Sequence, residues 1–487
     1  MKKHLSFLSA LLLFLSSFSA QAQELESGYF LGGNPYAFRL NPAFQSERNI
    51  FSIALGQTGL GAWSNLGVSS LLYPNANGYM YTFMNDRVSA SEFLRHVRSR
   101  NNLDLDARIN LLTVGFWAGK RYYTLDFNLR SLNALSSPED EFRLLKEDAG
   151  SKAASYDMAG LGFRSKEFLE AAFGWSKNYD NVFNVGFRVK ALLGIADADV
   201  MAKKLSLSMS GERWEIQAQS ELGISSAAGV KYGLDEDGYL DFSSIEMGDI
   251  DDWHQVRPAG YGAAVDLGAS WNVLPELTLS ASVLDLGGLL WNRGVRGLSP
   301  ETGYVWEPSG DRGDGDESWE DEIGDAEKAL AGVFRFRDSG AKSVFDFLPF
   351  RVNLGAEYRM PFYDRLSVGA LYQGRGGKCF GRHTGRLSLN WNPLSFLSMS
   401  ASSALSDLGQ SMGFVLNLHP GVLNLTLGAD YIPFHCVSVS SLLDEDFPDQ
   451  YRRFAVLPRD NMKLNFYIGL NLAFGRSRLD HAKRFVL

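Results

Sequence analysis

Between Lys463 and Gly475 the chain reads KLNFYIGLNLAFG, with Leu464, Phe466, Ile468, Leu470, Leu472 and Phe474 apolar at every second position. Asn465, Tyr467, Gly469, Asn471 and Ala473 fill the alternate positions with polar or small groups. A period of two makes a strand with one apolar face and one wet face. The length suits a tilted strand crossing a bilayer, which takes roughly 9–11 residues. A single segment of this kind fits a half-buried sandwich strand equally well. The repetition of the pattern along the chain decides between the two.

Arg108 to Trp117 leads through Ala118-Gly119-Lys120 into Tyr122 to Arg130, where Tyr123, Leu125, Phe127 and Leu129 alternate with Thr124, Asp126, Asn128 and Arg130. Four polar groups on one face suit a watery or plugged lumen, with the aliphatic face turned to lipid. Comparable hairpins turn at 178–180, 272–276, 361–363, 392–394 and 419–421. Long polar connections at about 131–165, 232–259, 287–348 and 432–461 separate them. Short turns at one end and long loops at the other characterise outer-membrane barrels. Trp117, Trp175, Trp271 and Trp391 each end a descending strand just before a short turn, which predicts an aromatic girdle at the inner membrane interface. The fold expected is all-β: a transmembrane antiparallel barrel of about 14 strands, within 12–16, the hairpin at Leu205–Ser220 lying in the wall or above it.

The segment before these strands reads as export machinery. Lys2, Lys3 and His4, an apolar run from Leu5 to Phe18 and Ala20-Gln21-Ala22 make a signal peptide over residues 1–22. The net charge of −9 grows by two units once Lys2 and Lys3 leave, so the surface offers no footprint for nucleic acid. After the signal no apolar run reaches the length of a spanning helix. Residues 23–48 contain Asn34-Pro35 and Asn41-Pro42-Ala43, whose prolines favour turns over ladder pairing and predict irregular backbone before the barrel at 49–474. Asn49–Gln57 and Ala62–Leu72 read as one or two strands, Ser89–Arg100 as a short helix, and 475–487 as a basic periplasmic tail.

The Asn41-Pro42-Ala43 element resembles the mature N-termini of the FadL-like barrel superfamily, in which it lies in the lumen as a plug. Strand units such as Ser282–Gly294, Pro349–Met360 and Gly421–Ile432 resemble an uncharacterised barrel family of Bacteroidota, carrying a domain of unknown function within the FadL-like and PorV-like group. That resemblance implies a plugged barrel in the outer membrane of a Gram-negative bacterium, assembled by the barrel-assembly machinery, in contact with outer-membrane lipid, and passing small apolar compounds. It equally admits a non-transporting scaffold that binds a protein partner, such as a secretion-system component, through its external loops. A shared fold does not by itself fix the role.

For chemistry the chain offers little. It has no HExxH, GxSxG, P-loop or CxxC, and its histidines lack ligand spacing, so neither enzyme, cofactor nor metal centre is expected. The tracts Asp311–Glu322 and Asp235–Asp241 are acidic but lack the spacing of a calcium loop, and read as solvated loops. Cys379 and Cys436 read as two independent thiols, a disulfide across the mouth being the alternative. Lumen-facing charges expected from the alternation are Asp126, Arg130, Arg188, Lys190, Asp266, Glu357, Arg359 and Asp430, more simply a structural network than a transport path. An apolar ligand would find Phe30, Phe38 and Phe44 around Asn41 and Pro42 at the plug.

Overall fold

The computed structural model describes residues 25–475 apart from residue 55 and the segments 75–79, 147–152, 211–212, 248–255, 300–301, 307–334, 341–342, 378–380, 433–435, 439–455 and 459–462. The signal peptide, the basic tail, the acidic tract at 311–322 and Cys379 fall outside the described residues.

Fourteen antiparallel strands close into a barrel. They are β1 (Asn49–Ile53 with Thr58–Ser64), β2 (Arg100–Ala118), β3 (Arg121–Pro138), β4 (Gly162–Tyr179), β5 (Phe183–Ser210), β6 (Gly260–Asn272) and β7 (Leu277–Trp291). The second half comprises β8 (Val344–Phe347 with Phe350–Arg359), β9 (Leu366–Gly376), β10 (Arg382–Leu394), β11 (Leu397–Ser406), β12 (Gly409–Leu418), β13 (Leu423–Ile432) and β14 (Lys463–Phe474). Each pairs with its neighbours in sequence, and β14 closes on β1 in a register running from Asn49↔Phe474 to Trp63↔Lys463. Closure satisfies every edge, which lipid demands because it offers no hydrogen bonds.

Burial is inverted relative to a soluble sandwich. Along β3, Thr124, Asp126, Asn128 and Arg130 are buried whereas Leu125 and Phe127 are exposed. Along β10, Thr384, Arg386, Ser388 and Asn390 are buried while Leu387, Leu389 and Trp391 face out. Leu387 and Leu405 are 65% and 63% exposed, and outward Phe, Leu, Tyr and Val side chains continue around the wall. No helix of the described residues is long and apolar enough to cross a membrane, which says nothing of the strands.

The short inner turns fall where the sequence predicts, with Gly119 at φ 63° between β2 and β3 as that tight turn requires. Other elements depart from the reading. Residues 65–71 are not strand: β1 ends at Ser64, Val68–Leu71 is a single helical turn, and Leu72 opens a separate short strand, Leu72–Pro74, paired with Met80–Thr82 outside the barrel ladder. A short helix at Ala90–Leu94 does form, capped by the Ser89 hydroxyl accepting from the Glu92 amide at 3.2 Å. The connection at 131–165 shortens because β3 runs to Pro138 and β4 begins at Gly162. β5 extends over 28 residues, far past the bilayer, and pairs there with Arg213–Ser226. The Leu205–Ser220 hairpin therefore stands above the wall. Its apolar residues Leu205, Leu207, Met209 and Ile216 pack against Tyr156 and Met158. Two outer connections, 377–381 and 407–408, are short, so the long ones crowd one part of the rim.

An arginine tests the direction of this wall. Leu387 sits mid-strand on the outer face, where Leu387→Arg is expected to destabilise by about 2–4 kcal/mol if hydrocarbon surrounds it. At a water-exposed position the change would stay within about 0.5 kcal/mol. Urea unfolding in lipid vesicles, followed by tryptophan fluorescence, separates the outcomes.

Candidate functional site

The lumen is occupied by the chain's own N-terminal segment. Leu25, Glu26, Ser27, Tyr29, Leu31, Tyr36, Phe38, Arg39, Leu40, Asn41 and Ala43 are all buried. Two Asn-Pro pairs shape it. The Asn34 side chain donates to the Gly28 carbonyl (3.0 Å) and accepts from the Tyr36 amide (3.1 Å). Asn41 Oδ1 accepts from the Ala43 amide (3.0 Å), while its Nδ2 donates to the carbonyls of Ala269 and Ala281 on β6 and β7 (3.2 Å each). Asn41 thus makes a local turn and joins it to the wall. The Leu40 carbonyl accepts from Ser282 Oγ (2.8 Å) and Asn353 Nδ2 (2.9 Å). Wall glycines make the fit possible: a Cβ on Gly186 would lie 2.0 Å from the Pro42 carbonyl oxygen, and one on Gly268 2.1 Å from Asn41 Oδ1. Phe30 and Phe44 are half-buried, both edge-on to Tyr29 at 4.8 and 5.1 Å, and Phe38 is buried beneath Arg188 (5.4 Å).

Two charge networks tie plug and wall together. In the first, Arg39 donates to Asp126 (2.9 Å), whose other oxygen accepts from Arg188 (2.7 Å). Arg188 reaches Asp266 (3.2 Å), and Lys190 lies 2.7 Å from Asp266 and 2.6 Å from Asp285. Asp285 also receives Arg130 (3.0 Å) and Arg351 (3.1 Å), and Arg130 bonds Glu170 (2.9 Å). In the second, Arg386 bridges Glu26 and Asp430 (3.1 Å each), while the Glu26 and Ser27 amides donate to the Asp430 carboxylate (2.7 and 3.1 Å). Buried charges persist only when paired in this way, because desolvating each one costs several kcal/mol.

The sequence places Asp126, Arg130, Arg188, Lys190, Asp266 and Asp430 on the inner face, and they lie within these networks. Glu357 and Arg359 share the inward alternation but sit half-buried near the lower turn; Glu357 accepts from Ser367 Oγ at 2.7 Å. Glu26, Arg39, Glu170, Asp285, Arg351 and Arg386 are additional members. Of these, Glu170 and Arg351 follow the same alternation as the residues named from sequence. Asp285 sits at φ 61° beside a register shift between β6 and β7, which no local pattern announces.

Trp175, Trp271 and Trp391 are outward and partly or well exposed near the lower rim. Trp117 corrects the expected girdle. It lies on the inward side of β2, tilted against the buried Tyr122 at 5.2 Å, with its indole N–H donating to the Ser46 carbonyl at 3.0 Å. A bulge between Asn110 and Leu112 flips the alternation and turns it to the plug. Outside the membrane, Arg335 bonds Asp235 and Asp237 (2.6 and 2.9 Å) and holds the Asp235 carboxyl below its ordinary range, so a guanidinium occupies the place a cation would take there.

The wall is interrupted at the level of the plug. After Phe51 the rungs from β1 to β14 stop until Thr58, whereas towards β2 the Ala54 amide still donates to the Leu111 carbonyl at 2.8 Å and the Asn110 amide to Thr58 Oγ1 at 3.2 Å; Ala54 takes φ 56° and Gln57 turns inward, buried, its carbonyl accepting from Arg39 at 3.1 Å. The facing stretch at 469–471 on β14 is left without a β1 rung.

Removing the shared acceptor tests the first network. Asp285→Ala removes the acceptor that Arg130, Lys190 and Arg351 share and is expected to cost about 3–5 kcal/mol in urea unfolding. Gly268→Val is expected to expel Asn41 and Pro42, leaving the barrel closed but the segment 25–48 cleavable by added protease; a protected leader would contradict the fit.

Comparison with known proteins follows from this geometry. No curated protein matches the sequence. Among solved structures, the toluene transporter TbuX of Ralstonia pickettii is similar at 10% identity and TM-score 0.43, over 93% of this chain and 99% of its own. A FadL homologue of Pseudomonas aeruginosa is similar at 9% identity and TM-score 0.40, over 94% and 99%. With TM-scores below 0.5, these likenesses carry no part of the functional reading. A family model matches residues 42–430, most of the barrel and the last turn of the plug, and the chain belongs to that family, the Family of unknown function (DUF5723).

Proposed function

We propose that this is an outer-membrane barrel of a Gram-negative bacterium that lets small apolar compounds reach the membrane sideways and conducts no solute along its axis. The break in β1 carries the reading: the ladder between β1 and β14 is interrupted at the height where the plug and its ion pairs fill the lumen. Two charge layers joined to the plug oppose a continuous water path, since opening one would separate Arg39 from Asp126 and Arg386 from Glu26. The likeness to proteins described as toluene transporters agrees in kind but adds no weight. A second reading, a non-transporting scaffold, is favoured by one feature: the β5 extension and its partner strand form a sheet above the membrane with its own apolar core, a platform for a protein partner.

Deleting residues 54–56 removes the three positions by which β1 exceeds the facing stretch of β14, so the rungs from Phe51↔Leu472 to Thr58↔Ile468 fall in one register and the inward–outward alternation is restored. Cells or liposomes carrying the intact barrel are expected to take up labelled toluene faster than empty controls, with no ion conductance, and the deletion is expected to abolish the gain while the barrel stays folded. Uptake equal in control, intact and deleted forms would reject passage and leave the scaffold reading.

A further inference from the structure

Above the plug, opposite sides of the barrel touch. Trp63, Arg375, Arg382, Tyr431 and Lys463 all lie at or one residue from the outer ends of their strands. Lys463, Trp63 and Asp104 share one row across β14, β1 and β2, while Arg375 and Arg382 share another across β9 and β10. Arg375 crosses the lumen to Asp106 on β2 (2.7 Å). Because β2 and β9 stand opposite each other in the ring of strands, this pair narrows the lumen to the reach of two side chains. Beside it the guanidinium of Arg382 lies over the Trp63 ring (4.5 Å), and that of Arg375 is 5.7 Å from the same ring, both within the range of cation–π attraction. Lys463 Nζ donates to Ser406 Oγ (2.7 Å) and to the Gly409 carbonyl (2.9 Å), tying β14 to the turn between β11 and β12. Trp63, Asp106, Arg382, Tyr431 and Lys463 are buried, at a height where an open mouth would leave them wet.

We propose that this layer is an outer gate: a seal made by the wall alone, which closes the lumen from outside independently of the plug and opens by side-chain rotation. In the Arg375–Asp106 pair and in the Arg382–Trp63 contact both partners belong to the wall, so withdrawing the plug removes neither. A barrel of this size approaches the porins, whose lumen holds a water channel, and it needs filling wherever the plug does not reach. Opening breaks no ladder bond. Arg375 and Arg382 are long, flexible side chains at strand ends, and swinging them away leaves the rungs between β9 and β10 intact. Tyr431 joins the two seals: the Arg382 guanidinium lies 5.7 Å from its ring, and its hydroxyl donates to Glu26 of the plug at 2.5 Å. The gate presupposes a closed barrel, but neither lateral passage nor a scaffold role.

The test is the ion conductance of the full mature chain in planar bilayers. Trp63→Ala, Asp106→Ala and Arg375→Ala together open the layer and remove both partners of the ion pair, so neither charge is left alone. Gly268→Val displaces the plug, which protease cleavage of the leader verifies. Each change by itself is expected to leave the bilayer as silent as the intact barrel does, and their combination to conduct as an open pore. Conductance in Gly268→Val equal to that of the combination, or silence of the combination with its leader cleaved, would overturn the gate. Conductance from the layer variant alone would support the gate and count instead against the plug as a seal. Where heat-modifiable migration on a gel shows a variant unfolded, Asp106→Cys with Arg375→Cys, in a Cys379→Ser and Cys436→Ser background, supplies the second measurement. A short bismaleimide is expected to join the two cysteines across the folded barrel, read by mass spectrometry as one cross-linked peptide; absence of that peptide would also overturn the proposal.

Discussion

A sheet standing in hydrocarbon can leave no edge unpaired, because each stranded amide or carbonyl costs several kcal/mol there. Everything else in this protein depends on the pairing of β14 with β1, which removes the last edge. Closure then fixes which side faces what. With lipid outside, the apolar half of each alternating strand must turn outward and the polar half inward, so the interior becomes the place where charge accumulates. The burial of Asp126, Arg188 and Asp285 beside exposed Leu125, Val189 and Leu286 is the consequence.

An interior of that kind needs its charges matched, and the N-terminal segment does part of the matching. Arg39 supplies a cation to Asp126 and Glu26 an anion to Arg386, while backbone amides of Glu26 and Ser27 complete the shell of Asp430. The plug is thus part of the core of the barrel. Its seat is cut into the wall by glycines, and its links to the interrupted stretch of β1, Arg39 to the Gln57 carbonyl and Tyr36 to Ser52 Oγ, couple the state of the lumen to the state of β1.

Much of this was legible in the sequence because it follows from local periodicity. Alternation at 463–474 and 122–130 fixed strand faces, short turns fixed hairpins, and the Asn-Pro pairs marked irregular backbone ahead of the first strand. What was not legible depends on contacts across the lumen. Nothing near Glu26 announces Arg386, 360 positions away, and Asp285 gains its three cations from strands β3, β5 and β8. Bulges defeat local reading as well: one residue between Asn110 and Leu112 turned Trp117 from the membrane to the plug. β5 runs past the length a spanning strand needs, and the extension is set by its pairing with Arg213–Ser226, which alternation within β5 does not announce.

Hydrogen exchange of the mature chain in lipid bilayers tests the central claim most directly, because it reads the leader and the wall together. If residues 25–48 are built into a closed, lipid-embedded barrel, their hydrogen-bonded amides exchange as slowly as those of β13. Leader amides exchanging at the rate of a free peptide, beside a protected wall, would contradict it.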